Sequence, residues 1–162
     1  MTQAVAQIAL GPREGKTYGV VGHKYRILAT GEQTGGEYAV FEAVVPPGEG
    51  PPPHTHVNDD EIFYVAQGAI TIVVEGREIE AGAGSFAAVP KGTIHTFRND
   101  GSQDARLLVT IRPAGLDKFF QEVGVPIADP TADPPPSTVE HMQRIVAAAP
   151  KYGMLFEPVS EA

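Results

Sequence analysis

The feature that most constrains this chain is its rhythm. Over roughly the first 115 residues, short runs rich in Val, Ile, Phe and Tyr alternate with Gly, Pro and Asn-Asp punctuation, the pattern of an all-β sandwich or barrel. It predicts strands near residues 24–30, 37–45, 61–66, 69–75, 77–80, 85–89, 93–98 and 105–112. Gln67-Gly68 and Asn99-Asp100-Gly101 read as turns. So many short strands must hide their edges, and a closed or nearly closed barrel does so most completely. A length of 162 residues suits one domain with one core.

From residue 115 the pattern changes. Leu116, Phe119, Phe120 and Val123 recur at helical spacing and Gly124 follows as a stop, which predicts a short amphipathic helix over 115–123. A connector with Pro126, Pro130, Pro134, Pro135 and Pro136 is expected to be too stiff and donor-poor for regular structure. Ser137-Thr138-Val139-Glu140 then reads as a capping box, and Val139, Met142, Ile145 and Val146 as one apolar stripe. A second helix is expected over 138–148, ending before Pro150. Both stripes suit packing on the outside or end of a barrel; a lid or a dimer contact is the functional alternative. The expected division is a barrel over 1–114, N-terminal strands included, with a helical tail over 115–162 packed on it in the same domain.

Charge and composition exclude several functions. A formal net charge of −8 argues against nucleic acid or an anionic membrane surface as partner. The chain has no cysteine, so disulfides, thiolate metal sites and cysteine nucleophiles are excluded. The start Met1-Thr-Gln-Ala-Val-Ala-Gln7 lacks the basic flank and apolar core of a signal peptide. No stretch approaches the roughly 20 apolar residues that span a bilayer. A cytoplasmic protein is the expectation.

Chemistry concentrates in residues 48–99. His54 and His56 are two apart, so on an extended chain both imidazoles face the same side. Glu61 is at odd parity to them, but Val57-Asn58-Asp59-Asp60 is a turn former that resets the phase, letting Glu61 open the strand Glu61-Ile-Phe-Tyr-Val65. His95 belongs to a later strand, Thr93–Arg98, with Phe97 on its side. Three imidazoles and one carboxylate make a hard-to-borderline donor set for one divalent transition ion, suiting Fe, Mn, Ni, Co or Zn without choosing among them. Asp59 and Asp60 read as solvated turn residues; Asp60 rivals Glu61 weakly, and the spacing favours Glu61. His23 and His141 read as solvent-facing or incidental. Phe41, Phe63 and Phe97 are candidates both for the core and for a substrate pocket. The Pro47 and Pro51–Pro53 run is either an ordinary loop or a stiff approach that pre-organises His54.

These residues carry a resemblance. Gly48, His54, His56, Glu61 and Gly68 match the first cupin signature, G-x5-H-x-H-x4-E-x6-G; Gly84, Pro90, Gly92, His95 and Asn99 match the second, G-x5-P-x-G-x2-H-x3-N. The resemblance implies a double-stranded β-helix, or jelly-roll, barrel with the ion inside near one mouth. It implies His54, His56, Glu61 and His95 as metal ligands, with the matching Gly, Pro and Asn positions shaping turns. A cupin that has lost its metal, keeping the four groups as a polar network, is the bland alternative. The stretch Pro113–Gly124, the Pro-rich connector and Ala149–Phe156 also resemble single-domain cupins grouped with flavonol (quercetin) 2,3-dioxygenases.

The resemblance and the donor set together lead to the expectation of a metal-dependent dioxygenase acting on a small hydroxylated aromatic or enolisable compound, with dioxygen as co-substrate. Glu61 would serve as ligand and as general base. A non-oxidative isomerase, lyase or hydrolase using the ion as a Lewis acid is a second class, and a non-enzymatic binding or sensing barrel a third. A homodimer is expected, since cupins commonly pair.

Overall fold

Alternation of buried and exposed side chains sets the strands. The computed structural model describes residues 6–158. In chain order the strands are β1 (Thr17–Val20), β2 (His23–Ala29), β3 (Ala39–Val45), β4 (His54–His56), β5 (Asp60–Gln67), β6 (Ala69–Val74), β7 (Arg77–Gly82), β8 (Phe86–Val89), β9 (His95–Arg98) and β10 (Ala105–Arg112). Helix α1 (Leu116–Val123), β11 (Val125–Ile127), helix α2 (Val139–Ala148), a 3-10 turn (Ala149–Tyr152) and β12 (Met154–Phe156) complete the chain.

The strands form two antiparallel sheets, ordered β11-β1-β2-β3-β10-β5-β8 and β12-β4-β9-β6-β7. They enclose one interior, the jelly-roll expected from the sequence. In β2 and β3 every second residue is buried, as in a sheet with one face on the core. Phe41, Phe63, Ile72, Leu107 and Ile111 fill that core and are essentially inaccessible.

The eight expected strands are all present, with ends shifted by at most two residues. The tail departs from expectation because it is not purely helical. Val125–Ile127 pairs with β1, so the Pro-rich connector begins with regular structure after all. Pro126 is tolerated because β11 is the edge of its sheet, where one face of the ladder needs no donor. Met154–Phe156 pairs with β4, placing Met154 opposite His56 and Phe156 opposite His54.

The helices form as expected, but α2 differs in detail. Thr138, not Ser137, caps it, accepting a hydrogen bond from the His141 backbone N–H at 3.1 Å. Ile145 is buried, whereas Val139 and Val146 are exposed. His141 turns inward and its Nε2 donates to the Val123 carbonyl at 2.8 Å, so it ties α2 to the end of α1. It is not solvent-facing. Helix α1 buries Leu116, Phe119, Phe120 and Val123, as its spacing implied. The Asp117 carboxylate fastens this helix to the 30–36 loop by accepting from the Gly31 backbone N–H at 3.0 Å.

Candidate metal centre

The four groups come from both sheets. His54 and His56 lie on β4 and His95 on β9, in one sheet; Glu61 lies on β5, in the other. Register places His54 directly opposite His95. On β5 the burial alternates so that Glu61, Phe63 and Val65 face inward. All four residues are buried, and one donor atom from each lies within 4.8 Å of the others. The turn between His56 and Glu61 therefore resets the parity as the sequence required.

Gly50 and Gly68 shape the frame. A Cβ on Gly50 would fall 2.1 Å from the Phe97 carbonyl, so only glycine lets the 48–50 segment lie against the strand that carries His95. Gly68 has φ +73 at the β5–β6 turn and would also meet the Asp104 carbonyl. Asn99 is buried, donating to the Val45 and Gln103 carbonyls and accepting from the Gly101 N–H, and so locks the turn after β9.

The donor set fits a cation. His54 Nδ1 donates to the Pro52 carbonyl at 2.8 Å and His95 Nδ1 to the Thr93 carbonyl at 2.9 Å. In neutral rings those bonds leave each Nε2 as an acceptor. Glu61 Oε2, another acceptor, lies 2.6 Å from His95 Nε2 and 3.2 Å from His56 Nε2. Acceptors crowded so closely in a buried site repel unless positive charge stands among them. Without an ion that charge is a proton. Burial opposes charge on His56, but Glu61 and Asp59 outweigh it and hold its pKa up at about 10. Burial would raise the Glu61 carboxyl, yet His56 and His95 keep it well below the ordinary range. His54 is held neutral, its pKa pushed down to about 4 by burial despite the pull of Glu61. A divalent ion would displace the proton, so its affinity falls as pH falls.

Asp59, like His141, is placed differently from the sequence expectation. It is buried rather than solvated, and its Oδ1 lies 2.8 Å from His56 Nδ1, an ion-pair distance without the in-line geometry of a hydrogen bond. Asp60 is the exposed one, accepting from the Lys91 backbone N–H. Asp59 orients His56 from behind and raises its basicity. In Asp59→Asn, metal affinity is expected to fall about 10- to 100-fold, measured by competition with a chromophoric chelator; unchanged affinity would remove this role.

Phe41 and Phe97 border a narrow cavity that also touches His54, His56 and Glu61. Phe63 packs behind it, edge-on to Phe97 at 5.7 Å and to His95 at 6.3 Å. Leu116, Phe119 and Phe120 of α1, Ile145 of α2, and Met154 and Phe156 of β12 close the apolar wall. The tail thus lines the cavity instead of merely covering the barrel. The space is small, about 50 Å³.

Residues 41–111 match the family model of the cupin domain. Over that stretch the chain resembles a cupin domain. The chain is 31% identical over 102 residues to quercetin 2,3-dioxygenase of Bacillus subtilis (strain 168), an alignment covering 63% of the chain and 30% of that protein. The chain therefore spans less than a third of the dioxygenase. Among solved structures, a sugar phosphate isomerase of the cupin superfamily from Silicibacter pomeroyi superposes with TM-score 0.55 at 26% identity, covering 67% of this chain and 76% of that one. KdgF from Halomonas sp. superposes with TM-score 0.61 at 20% identity, covering 69% and 99%. No described helix is long and apolar enough to cross a membrane.

Proposed function

We propose that this chain is a cupin and a metal-dependent dioxygenase acting on a small hydroxylated aromatic or enolisable compound. The observation that carries the reading is a buried cluster of three imidazoles and a carboxylate bordering an apolar cavity. A redox-active divalent ion would supply the one-electron chemistry that lets dioxygen react with a closed-shell organic molecule. His54, His56 and His95 would hold it, with Glu61 as the fourth ligand. The Glu61 carboxylate is ionised at physiological pH, the form a base needs to accept an enol or phenol proton. Phe41, Phe97, Phe119 and Phe120 keep water from the reacting atoms. The cavity's small volume favours compact substrates over three-ring flavonols, which require the aromatic wall to open.

Oxygen uptake by protein loaded separately with Fe, Mn, Ni, Co and Zn, across diketones and flavonols, tests this reading. Oxygen consumed in step with substrate loss is the expected result; no turnover with any metal would overturn it. Glu61→Gln is expected to keep part of its metal and lose about 10²- to 10⁴-fold in kcat, and an unchanged kcat would leave Glu61 a ligand only.

Likeness to the sugar phosphate isomerase favours a second reading, non-oxidative Lewis-acid chemistry. It predicts turnover without oxygen and activity with Zn. A phosphorylated substrate fits poorly, because no Lys or Arg is among the described residues lining the cavity.

A further inference from the structure

The cavity has a polar feature apart from the metal cluster. On β2, alternation turns His23 and Tyr25 inward with Ile27, so His23 is fully buried rather than solvent-facing. Both side chains border the same cavity as His54, His56 and Glu61. The Tyr25 ring stacks on Phe120 with centroids 4.3 Å apart, and its hydroxyl lies 3.3 Å from His23 Nδ1.

Those contacts fix where the imidazole proton sits. Among the described residues, His23 Nδ1 is the one hydrogen-bond partner of the Tyr25 hydroxyl. A buried phenol must place its proton on an acceptor, so the hydroxyl donates to Nδ1 and the ring proton resides on Nε2. That Nε2 is itself buried and has no hydrogen-bond partner among the described residues. Native interiors rarely leave such a donor unmatched. Burial also pushes the His23 pKa down to about 4, so at neutral pH the donor is an uncharged N–H. An uncharged donor in apolar walls matches a neutral acceptor, such as a ketone, ether or hydroxyl oxygen, better than a carboxylate or phosphate.

We propose that His23, held in one tautomer by Tyr25, is a specificity-determining residue that donates from Nε2 to a neutral oxygen on a substrate whose other end binds at the four-residue cluster. This rests on the reading of that cluster as a metal site. It adds a constraint on the substrate: beyond the end that meets the cluster, an apolar middle and a further neutral acceptor.

The test uses metal-loaded protein and hydroxamates as bidentate probes. A series of increasing chain length ending in a methyl ketone is compared with alkyl hydroxamates of equal length by calorimetry. At one chain length the ketone is expected to bind about threefold to tenfold more tightly than its alkyl partner. His23→Phe is expected to abolish that preference without changing metal content, and His23→Gln, which keeps an N–H donor, to restore part of it. If the keto and alkyl series bind the parent equally while metal and alkyl hydroxamates bind normally, the subsite is refuted and the metal site stands. The subsite is likewise refuted if His23→Phe keeps the preference. If the parent takes up no metal and binds no hydroxamate, both readings fall. Should His23→Phe not fold, the His23 Nε2 resonance in ¹⁵N-labelled parent decides the matter, since a ketone bond shifts it and an alkyl chain does not.

Discussion

In His95→Ala, the ion content of purified protein is expected to fall to near zero while the barrel stays folded. His95 supplies one of four donors, and it is the imidazole nearest the Glu61 carboxylate. Structural four-ligand sites bind divalent zinc with about 10–16 kcal/mol, so one ligand carries about 3 kcal/mol, more than 100-fold in affinity. The barrel should survive because β9 keeps its ladder to β6 from Thr96 to Arg98 without needing the His95 side chain. The variant is also relieved of one group in an acceptor-crowded pocket. Elemental analysis beside circular dichroism reads both effects. Equal metal in variant and parent would show that the cluster is a polar network and not a metal centre.

Phe63→Ala is expected to cost about 3–5 kcal/mol, because a fully buried aromatic is replaced by a methyl in an interior that cannot collapse freely. Total stabilities of small domains are about 5–15 kcal/mol, so the variant should be near the limit of folding. Phe63 lies between Val65 and Glu61 on the inward face of β5 and meets the rings of Phe97 and His95 edge-on. The hole would therefore open beside a metal ligand, and metal affinity should weaken along with stability. Urea unfolding of ion-free parent and variant isolates the packing loss from ligand linkage. A loss below about 1 kcal/mol would show that Phe63 is not part of a tightly packed core.

Much of this was legible in the chain. The β strands repeat every second residue, and the short runs between Gly and Pro left few other ways to bury Val, Ile and Phe. The four candidate ligands were legible because parity along an extended chain decides which residues share a face, and the Val57–Asp60 turn corrects the one mismatch. Other residues were hidden for physical reasons. Asp59 and Asp60 are chemically identical neighbours, and only the geometry of the turn sends the first inward and the second out. His23 and Tyr25 obey the same alternation as Ile27, but polar side chains do not register as core in a hydrophobic pattern. His141 stands off the apolar stripe of its helix and is buried because a carbonyl at the end of α1 needs a donor. The strands at 125–127 and 154–156 are three residues each, too short for any periodicity to show.

The pairing of β12 with β4 has a consequence for how the protein is made. β4, which bears His54 and His56, lies between β9 and β12, and the second of those neighbours is encoded roughly a hundred residues downstream. At ordinary elongation rates of about 5–20 residues per second, the histidine pair waits about 5–20 s on the ribosome before its outer neighbour exists. Until then one side of that strand faces solvent, and the wall formed by Met154 and Phe156 is missing. A metal site walled in this way would be complete only once residues 154–156 have paired with β4.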